Sequence, residues 1–318
     1  MVSHQKPAQK TETVVIKIGT AALQKRDGIL DEDLLGNLVS EMSDLKRNGH
    51  RVILVTSGAI GMGKTAEIDL GLLEGKVSDP ETVGKQIQAS IGQPSLMNVY
   101  SGLFLRHGIY AAQVLTEKAH FTDNGNGGEN HGTGPTGAAL LRMDKLNPNI
   151  VNYFKGVLLL PNVVPIVNEN DTAAIAELGP MDNDQIAGLV AVMVEADRCI
   201  FLSSGAGVCR TGEDLSEKQV IRVVDFDDPS TLPEKTDGQS ASGRGGMDRK
   251  LQIAEELTKT INEITGEPIK VYIAPSREPG VIGKIMRGEP VGTELLSGKK
   301  ASRPTEPKAK KNFPALVA

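Results

Sequence analysis

The chain has 318 residues, of which 39% are hydrophobic and 24% are charged, and its formal net charge is −5 at pH 7. This composition is typical of a globular domain with a buried core, and the acidic balance argues against a nucleic-acid partner, which usually meets a basic face. No apolar run approaches the roughly 20 residues that cross a bilayer, and neither Cys199 nor Cys209 stands in a metal-ligand or redox spacing, so we expect a cytoplasmic protein with no membrane partner.

Strand-like runs rich in Val and Ile alternate with helix-like stretches along the chain. The helix-like stretches include Asp33 to Arg47 and Arg249 to Ile264. The strand-like runs are Val14 to Ile18, Val52 to Val55, Val163 to Val167, Cys199 to Leu202 and Ile269 to Ile273. Such alternation predicts an α/β fold with a mostly parallel sheet covered by helices.

Both ends and one internal segment lack the pattern of a packed element. Residues 1–13 are polar and residues 297–318 are rich in Lys and Pro, so we expect two flexible tails around a folded domain at 14–296, with no additional C-terminal domain. Residues 123–137 are rich in Gly, Asn and Asp without periodicity. They predict a flexible surface insertion within the domain.

Two acidic runs stand directly beside apolar elements. Asn168-Glu169-Asn170-Asp171 follows the third strand-like run, and Asp182-Asn183-Asp184 opens the helix-like stretch Ile186 to Val194. In open α/β sheets, ligands bind at the edge where strands end and helices begin. Carboxylates crowded there repel one another unless a metal, a lysine or a ligand amine neutralises them, which favours charged chemistry. Helix capping alone is the alternative, because Asp and Asn are favoured N-cap residues.

The segment Gly58 to Thr65 matches G-x-x-x-x-G-K-[ST] and follows a strand-like run, as the P-loop of a nucleotide-binding NTPase does. Against a P-loop, no later strand ends in the acidic residue that would hold Mg²⁺ in that class, since Cys199 to Leu202 is followed by Ser203-Ser204. A strand-to-helix turn whose backbone N–H groups bind a carboxylate or a phosphate explains the same residues. A P-loop NTPase therefore stays open as an alternative function.

Six motifs occur in the order that one known family has them. They are Val15-Ile-Lys17-Ile-Gly19-Thr20, Thr56-Ser57-Gly-Ala-Ile60, Gln88-Ala-Ser-Ile-Gly92-Gln93, Pro165-Ile-Val-Asn-Glu-Asn-Asp171, Asp182-Asn-Asp184 and Gly243-Arg-Gly-Gly-Met247-Asp-Arg-Lys250. On these motifs the chain resembles the amino acid kinase family from about Val14 to Thr293, and within that family the members that act on L-glutamate. The resemblance implies a three-layer α/β/α sandwich.

The resemblance also implies a reaction and its partners. ATP would phosphorylate the side-chain carboxylate of L-glutamate to give L-glutamyl 5-phosphate and ADP, with Mg²⁺ required, as the first step of proline biosynthesis. Feedback inhibition by proline and a homo-oligomer, either a dimer or a tetramer, are further implications. A catalytically silent amino-acid sensor on the same fold is the remaining alternative, and intact Lys17, Lys250 and Asp184 argue against it.

The motifs of the family assign the glutamate site of this chain by position. The residues that would bind glutamate are Ser57, Gly58, Ala59, Asp171 and Asn183. A carboxylate such as Asp171 suits the substrate ammonium group, and backbone N–H groups of the turn suit its α-carboxylate.

The same resemblance assigns the phosphate end of the site. Lys17 and Lys250 would neutralise the β- and γ-phosphates, while Asp184 would orient the two lysines and Asp182 would lie closer to the metal. The sequence alone does not divide the tasks of the two aspartates. The nucleotide would be contacted by the two lysines together with Ser203, Ser204, Gly243, Arg244, Gly245, Gly246 and Met247.

Overall fold

The computed structural model describes residues 10–25, 29–66, 68–121, 147–173, 182–210, 219–233 and 246–297. The predicted insertion at 123–137, and most of the two predicted tails, lie outside these ranges. The strands are β1 (Thr13–Ile18), β2 (Arg51–Thr56), β3 (Tyr110–Thr116), β4 (Val163–Glu169), β5 (Arg198–Ser203), β6 (Cys209–Arg210), β7 (Gln219–Val220), β8 (Val223–Asp225), β9 (Lys270–Pro275) and β10 (Thr293–Leu296). The α-helices are α1 (Thr20–Leu23), α2 (Glu32–Arg47), α3 (Ala59–Lys64), α4 (Pro80–Leu105), α5 (Pro148–Val157), α6 (Asn183–Met193), α7 (Met247–Thr258) and α8 (Val281–Met286).

Eight of the described strands form one sheet in the order β3-β4-β2-β1-β5-β9-β10-β8. The first six of these strands run parallel to their neighbours, whereas β10 is antiparallel to β9 and parallel to β8. All residues of β1 are buried, as expected for a central parallel strand covered on both faces. The mostly parallel sheet predicted from the sequence is confirmed.

Helices cover both faces of this sheet, and the sheet divides the hydrophobic core into two halves. One half contains buried residues of α5, α6 and α7, and the other contains buried residues of α2, α4 and α8. Successive residues of β1 alternate between the halves, with Val14 and Ile16 in the second and Val15 in the first, because side chains of a strand point to opposite faces in turn. The fold is therefore the expected three-layer α/β/α sandwich.

Some boundaries differ from the sequence-based expectation. Strand β1 begins at Thr13, a residue that we expected in the tail, and the Thr13 N–H donates to Asp197 Oδ2 at 2.7 Å. Helix α7 ends at Thr258 rather than Ile264, because Asn262 holds a turn by accepting N–H bonds from Ile264 and Thr265. The edge strand β3 was not predicted, since its sequence lacks a run of Val and Ile and its surface is partly exposed.

Two glycines bring the backbones of α3 and α4 into contact. A Cβ added at Gly63 would lie 1.8 Å from the carbonyl oxygen of Gln88, and one added at Gly92 would lie 1.9 Å from the carbonyl oxygen of Ala59. Both glycines belong to sequence motifs, and close helix packing accounts for them. The four residues between Gly58 and Gly63 are helical and the side chain of Lys64 is exposed, so this segment lacks the loop that a P-loop wraps around phosphate.

We expect Gly92→Ala to destabilise the protein by about 3 kcal/mol, the upper end for overpacking, because the added methyl group meets backbone rather than a movable side chain. Gly102→Ala is the matched control in the same helix, since a Cβ there meets nothing within 4 Å. It should be neutral or stabilising by up to about 1 kcal/mol. Urea unfolding followed by circular dichroism measures both, and equal effects would contradict the packing argument.

None of the helices in the described ranges has the length and apolar character needed to traverse a bilayer.

Candidate active site

The carboxyl ends of four neighbouring parallel strands meet at one edge of the sheet. Lys17 lies near the end of β1, Ser57 follows β2, Asn168 and Glu169 close β4, and Ser203 closes β5. The strand order β4-β2-β1-β5 makes these ends adjacent. Polar side chains that the sequence separates widely therefore gather at the edge where ligands of open α/β sheets bind.

One buried carboxylate holds two lysine ammonium groups at this edge. Lys17 Nζ lies 2.5 Å from Asp184 Oδ1, and Lys250 Nζ lies 2.9 Å from Asp184 Oδ2. The exposed fractions of the three side chains are 6% for Lys17, 13% for Lys250 and 1% for Asp184. The carboxylate thus fixes two like charges side by side, which would otherwise repel each other.

The charge state of Asp184 follows from its surroundings. Burial alone raises the pKa of a carboxyl group, but the charges and hydrogen bonds of Lys17 and then Lys250 outweigh burial and hold the pKa of Asp184 below its usual range. Asp184 is therefore ionised at neutral pH. An ammonium group has three N–H donors, so each lysine keeps donors for a bound anion after pairing with Asp184.

Asp182 caps the N-terminus of α6 and leaves one carboxylate oxygen free. Its Oδ1 accepts the Asp184 N–H at 3.1 Å, while its Oδ2 is buried and, among the described residues, has no hydrogen-bond partner. Burial, followed by the nearby charge of Asp184, raises the pKa of Asp182. The capping alternative is thus correct for Asp182, yet capping uses only one of its oxygens.

The free oxygen of Asp182 fits a divalent cation that shares its other ligands with a substrate. Mg²⁺ in kinase sites is bound through one or two carboxylates plus phosphate oxygens and water. Within the described ranges, no group of three or more His, Cys, Asp or Glu side chains could hold a metal ion without such help. The donor set therefore suits an ion that arrives with a phosphate ligand.

A chain of buried amides lies beside the charged cluster. Asn183 Nδ2 donates to Ser57 Oγ at 2.8 Å and to Asn168 Oδ1 at 3.1 Å, and Asn168 Nδ2 donates to Gln93 Oε1 at 2.9 Å. The Oδ1 atom of Asn183 is buried without a partner in the part of the chain that the structure describes. It is a free acceptor, which a ligand ammonium group could satisfy.

The turn after β2 and the turn after β4 complete this side of the site. Gly58 adopts a left-handed conformation with φ 111°, which favours glycine, and α3 begins at Ala59. Asp171 lies half-buried in the turn after β4. That turn is fastened to the end of β3, because Asn170 donates its backbone N–H to the Thr116 carbonyl at 2.8 Å and its side-chain Nδ2 to Glu117 Oε1 at 2.7 Å.

Only some of the residues assigned to the nucleotide lie within the described ranges. Ser203 closes β5, where its Oγ and the backbone of Gly205 are bonded at 3.1 Å, and Ser204 is exposed. Gly246 caps α7 and Met247 is its first residue, so both lie within one turn of Lys250. Gly243, Arg244 and Gly245, which the resemblance also assigns to the nucleotide, lie outside the described residues.

Sequence reasoning assigned no role to several polar residues of the site. Gln93 and Asn168 occur inside quoted motifs, and Asn170 and Glu117 anchor the second turn. Gln93 lies in α4 and its side chain is only 8% exposed. The sequence feature that indicates this residue is its place between Gly92 and Leu96, which lie on the buried face of the helix.

Comparison with known proteins identifies the class to which this fold and site belong. Residues 12–274 match the Amino acid kinase family, and the chain belongs to that family of phosphotransferases. Carbamate kinase from Giardia lamblia bound to AMP-PNP has the same fold, with a TM-score of 0.58 at 17% identity, over 90% of this chain and 99% of that chain.

Curated relatives show which kind of kinase within the family the chain resembles. The glutamate 5-kinase of Chlorobaculum tepidum is 35% identical over 298 residues, which cover 94% of this chain and 72% of the relative. The glutamate 5-kinase of Escherichia coli O1:K1 is 32% identical over 89% of this chain and 68% of the relative. The resemblance drawn from the six motifs, to a kinase that acts on L-glutamate, is confirmed.

Proposed function

We propose that this enzyme transfers the γ-phosphoryl group of ATP to the side-chain carboxylate of L-glutamate, giving L-glutamyl 5-phosphate and ADP. The observation that carries the proposal is the pair of buried ammonium groups, 2.5 and 2.9 Å from the carboxylate of Asp184, next to a buried amide site with a free acceptor. The glutamate 5-kinases among its relatives support glutamate as the acceptor.

The two lysines supply the positive charge that this reaction between two anions requires. Both reactants are anions, and charge spreads over the transferring phosphoryl group in the transition state. Lys17 and Lys250 neutralise that charge, and Asp184 holds them in place before the reactants arrive. Such preorganised groups need no reorganisation at the moment of reaction, which is why they lower the barrier efficiently.

The substrate amino acid is held on the other side of the cluster. The carboxylate of Asp171 and the free Oδ1 of Asn183 receive its ammonium group, and Ser57 with the backbone N–H groups of Gly58 and Ala59 receives its α-carboxylate. The side-chain carboxylate then points toward Lys17 and Lys250. Substrate orientation of this kind contributes to rate by bringing the reacting atoms together.

The free oxygen of Asp182 would hold Mg²⁺, and when bound the ion neutralises charge on the nucleotide phosphates. The nucleotide itself would be contacted by Ser203, Ser204 and the residues from Gly243 to Met247. Asp182 and Asp184 thus divide their work: Asp184 serves the lysines and Asp182 serves the metal. The contacts support this division, because Asp184 pairs with both lysines whereas Asp182 Oδ2 has no hydrogen-bond partner among the described residues.

The proposed pathway, regulation, oligomeric state and cellular location rest on the family resemblance and on the state of the cysteines. We place the reaction at the first step of proline biosynthesis, with proline as a feedback inhibitor and with a homo-oligomer, a dimer or a tetramer, as the working form. Neither Cys199 nor Cys209 is part of a disulfide, and burial raises the pKa of Cys199. Cysteines outside disulfides support a cytoplasmic, reducing location.

A coupled assay of ADP release tests the function directly. ADP should form with L-glutamate and Mg²⁺, and stop when EDTA removes the metal. With aspartate, which is one methylene shorter, kcat/KM should fall by about 10-fold or more. N-acetylglutamate and buffer alone are the further controls. ADP release that is equal without an amino acid would indicate an NTPase, and glutamate binding without turnover would indicate a sensor.

A further inference from the structure

Gln93 lies outside the set of residues that we assign to glutamate, yet it closes the amide chain that reaches them. Its side chain projects from α4 and is only 8% exposed. The Oε1 atom accepts from Asn168 Nδ2 at 2.9 Å, whereas the Nε2 atom is buried with no partner among the described residues. The acceptor oxygen of Gln93 is therefore the part of the side chain that the network uses.

One backbone group identifies which atom of the Asn168 amide is the oxygen, and with it the direction of every bond in this chain. The Glu169 N–H donates to Asn168 Oδ1 at 2.9 Å, and a backbone N–H cannot exchange places with an acceptor. Asn168 must therefore turn its oxygen toward Glu169 and Asn183, and its Nδ2 toward Gln93. Asn183 in turn uses Nδ2 for Asn168 and Ser57, which leaves its Oδ1 free for a ligand.

We propose that Gln93 is a positioning residue for the amino-acid substrate, because its Oε1 locks the amide of Asn168 and thereby presents the Oδ1 of Asn183 as an acceptor. This inference rests on the proposed function, since the group that meets Asn183 is the ammonium group of L-glutamate. Gln93 acts through Asn168 and Asn183 and has no part in the phosphate end of the site.

The burial of Asn168 explains why loss of the Gln93 acceptor oxygen would weaken substrate binding. Asn168 is 1% exposed, so without Gln93 its Nδ2 would be a buried donor with no partner, which is strongly unfavourable. The side chain would then turn toward another acceptor and withdraw its Oδ1 from Asn183. An Asn183 amide released in this way can present Nδ2 to the substrate, and a donor repels an ammonium group.

The test compares three variants by steady-state kinetics and thermal unfolding. Gln93→Met keeps the length of the side chain without its acceptor, and should raise KM for glutamate by about 10-fold while KM for ATP stays within about twofold. Gln93→Glu keeps an acceptor oxygen and loses no bond within the described residues, because Nε2 has no partner among them, so KM should return toward the parent value. Gln86→Met makes the same change two helical turns away on α4 and should leave both KM values unaltered.

The outcomes separate this inference from the function on which it rests. A lower unfolding temperature with an unchanged KM for glutamate would make Gln93 merely structural and overturn the inference. An equal rise of KM in Gln93→Glu and Gln93→Met would also overturn it, because the acceptor would then not be the active part. A parent enzyme that turns over no glutamate would overturn both proposals, whereas parent turnover with an unaffected Gln93→Met would overturn this one alone.

Discussion

Replacing Lys17 or Lys250 with methionine is expected to lower kcat for glutamate phosphorylation by about 10²–10³-fold, the effect of removing one preorganised group that stabilises transition-state charge. Methionine keeps most of the side-chain length without the ammonium group. The expectation holds for each lysine separately, because both lie within 2.9 Å of the same carboxylate and would contact the same phosphoryl group in the proposed site. Initial rates of ADP release at saturating glutamate and ATP measure kcat.

Lys64→Met provides the matched control for this prediction. Lys64 is the lysine of the P-loop-like motif, but its side chain is exposed at the end of α3. Its replacement should change kcat by no more than about twofold, as surface substitutions usually do. If Lys64→Met abolished turnover and Lys17→Met did not, the nucleotide would bind at the P-loop-like segment and our assignment of the phosphate site would be wrong.

Asp184→Asn should have two large effects at once. It should lower kcat by about 10²-fold or more, because the two lysines lose the group that orients them. It should also destabilise the protein by about 3–5 kcal/mol, the usual result of removing one partner from a buried ion pair. Because the pKa of folded Asp184 lies below its usual range, its stabilising effect is present at neutral pH and is lost as the solution is acidified through that folded pKa.

The double variant Lys17→Met/Asp184→Asn separates the two effects. Removing a positive charge together with the carboxylate leaves fewer unpaired charges in the interior, so urea unfolding should show part of the stability recovered relative to Asp184→Asn. Activity should stay as low as in the single variants. Additive losses of stability would show that Lys17 and Asp184 do not interact, contrary to the short contact between them.

The location of the site was predictable because strand ends of a parallel sheet share one edge. The acidic runs after β4 and before α6 could be placed there from hydrophobic patterning alone, and Lys17 stood out as a charge within an apolar strand. The family resemblance added Lys250 and the role of Asp184. The structure brings the side chains of these three residues together.

The remaining features depend on contacts between distant segments, which local patterns do not encode. The acceptor role of Gln93 requires α4 to pack beside the end of β4. No residue near Gln93 in the sequence indicates its contact with Asn168. The end of α7 at Thr258 is followed by a turn at Asn262, which is tied to a distant segment because Asn262 Nδ2 donates to the Glu195 carbonyl at 2.8 Å. Gly63 lies in the P-loop-like segment and Gly92 in a quoted motif, and backbone contact between α3 and α4 explains both glycines.

That backbone contact has a mechanical consequence for the enzyme. The turn that begins with Ser57 continues into α3, α3 lies directly against α4, and α4 is further tied to β2 by the 2.7 Å hydrogen bond between Thr56 and Tyr100. Because no side chains cushion the contact, we expect these segments to shift together. The proposed amino-acid site would then be preformed on this side of the sheet edge, and any closure around the reactants would come from segments outside this block.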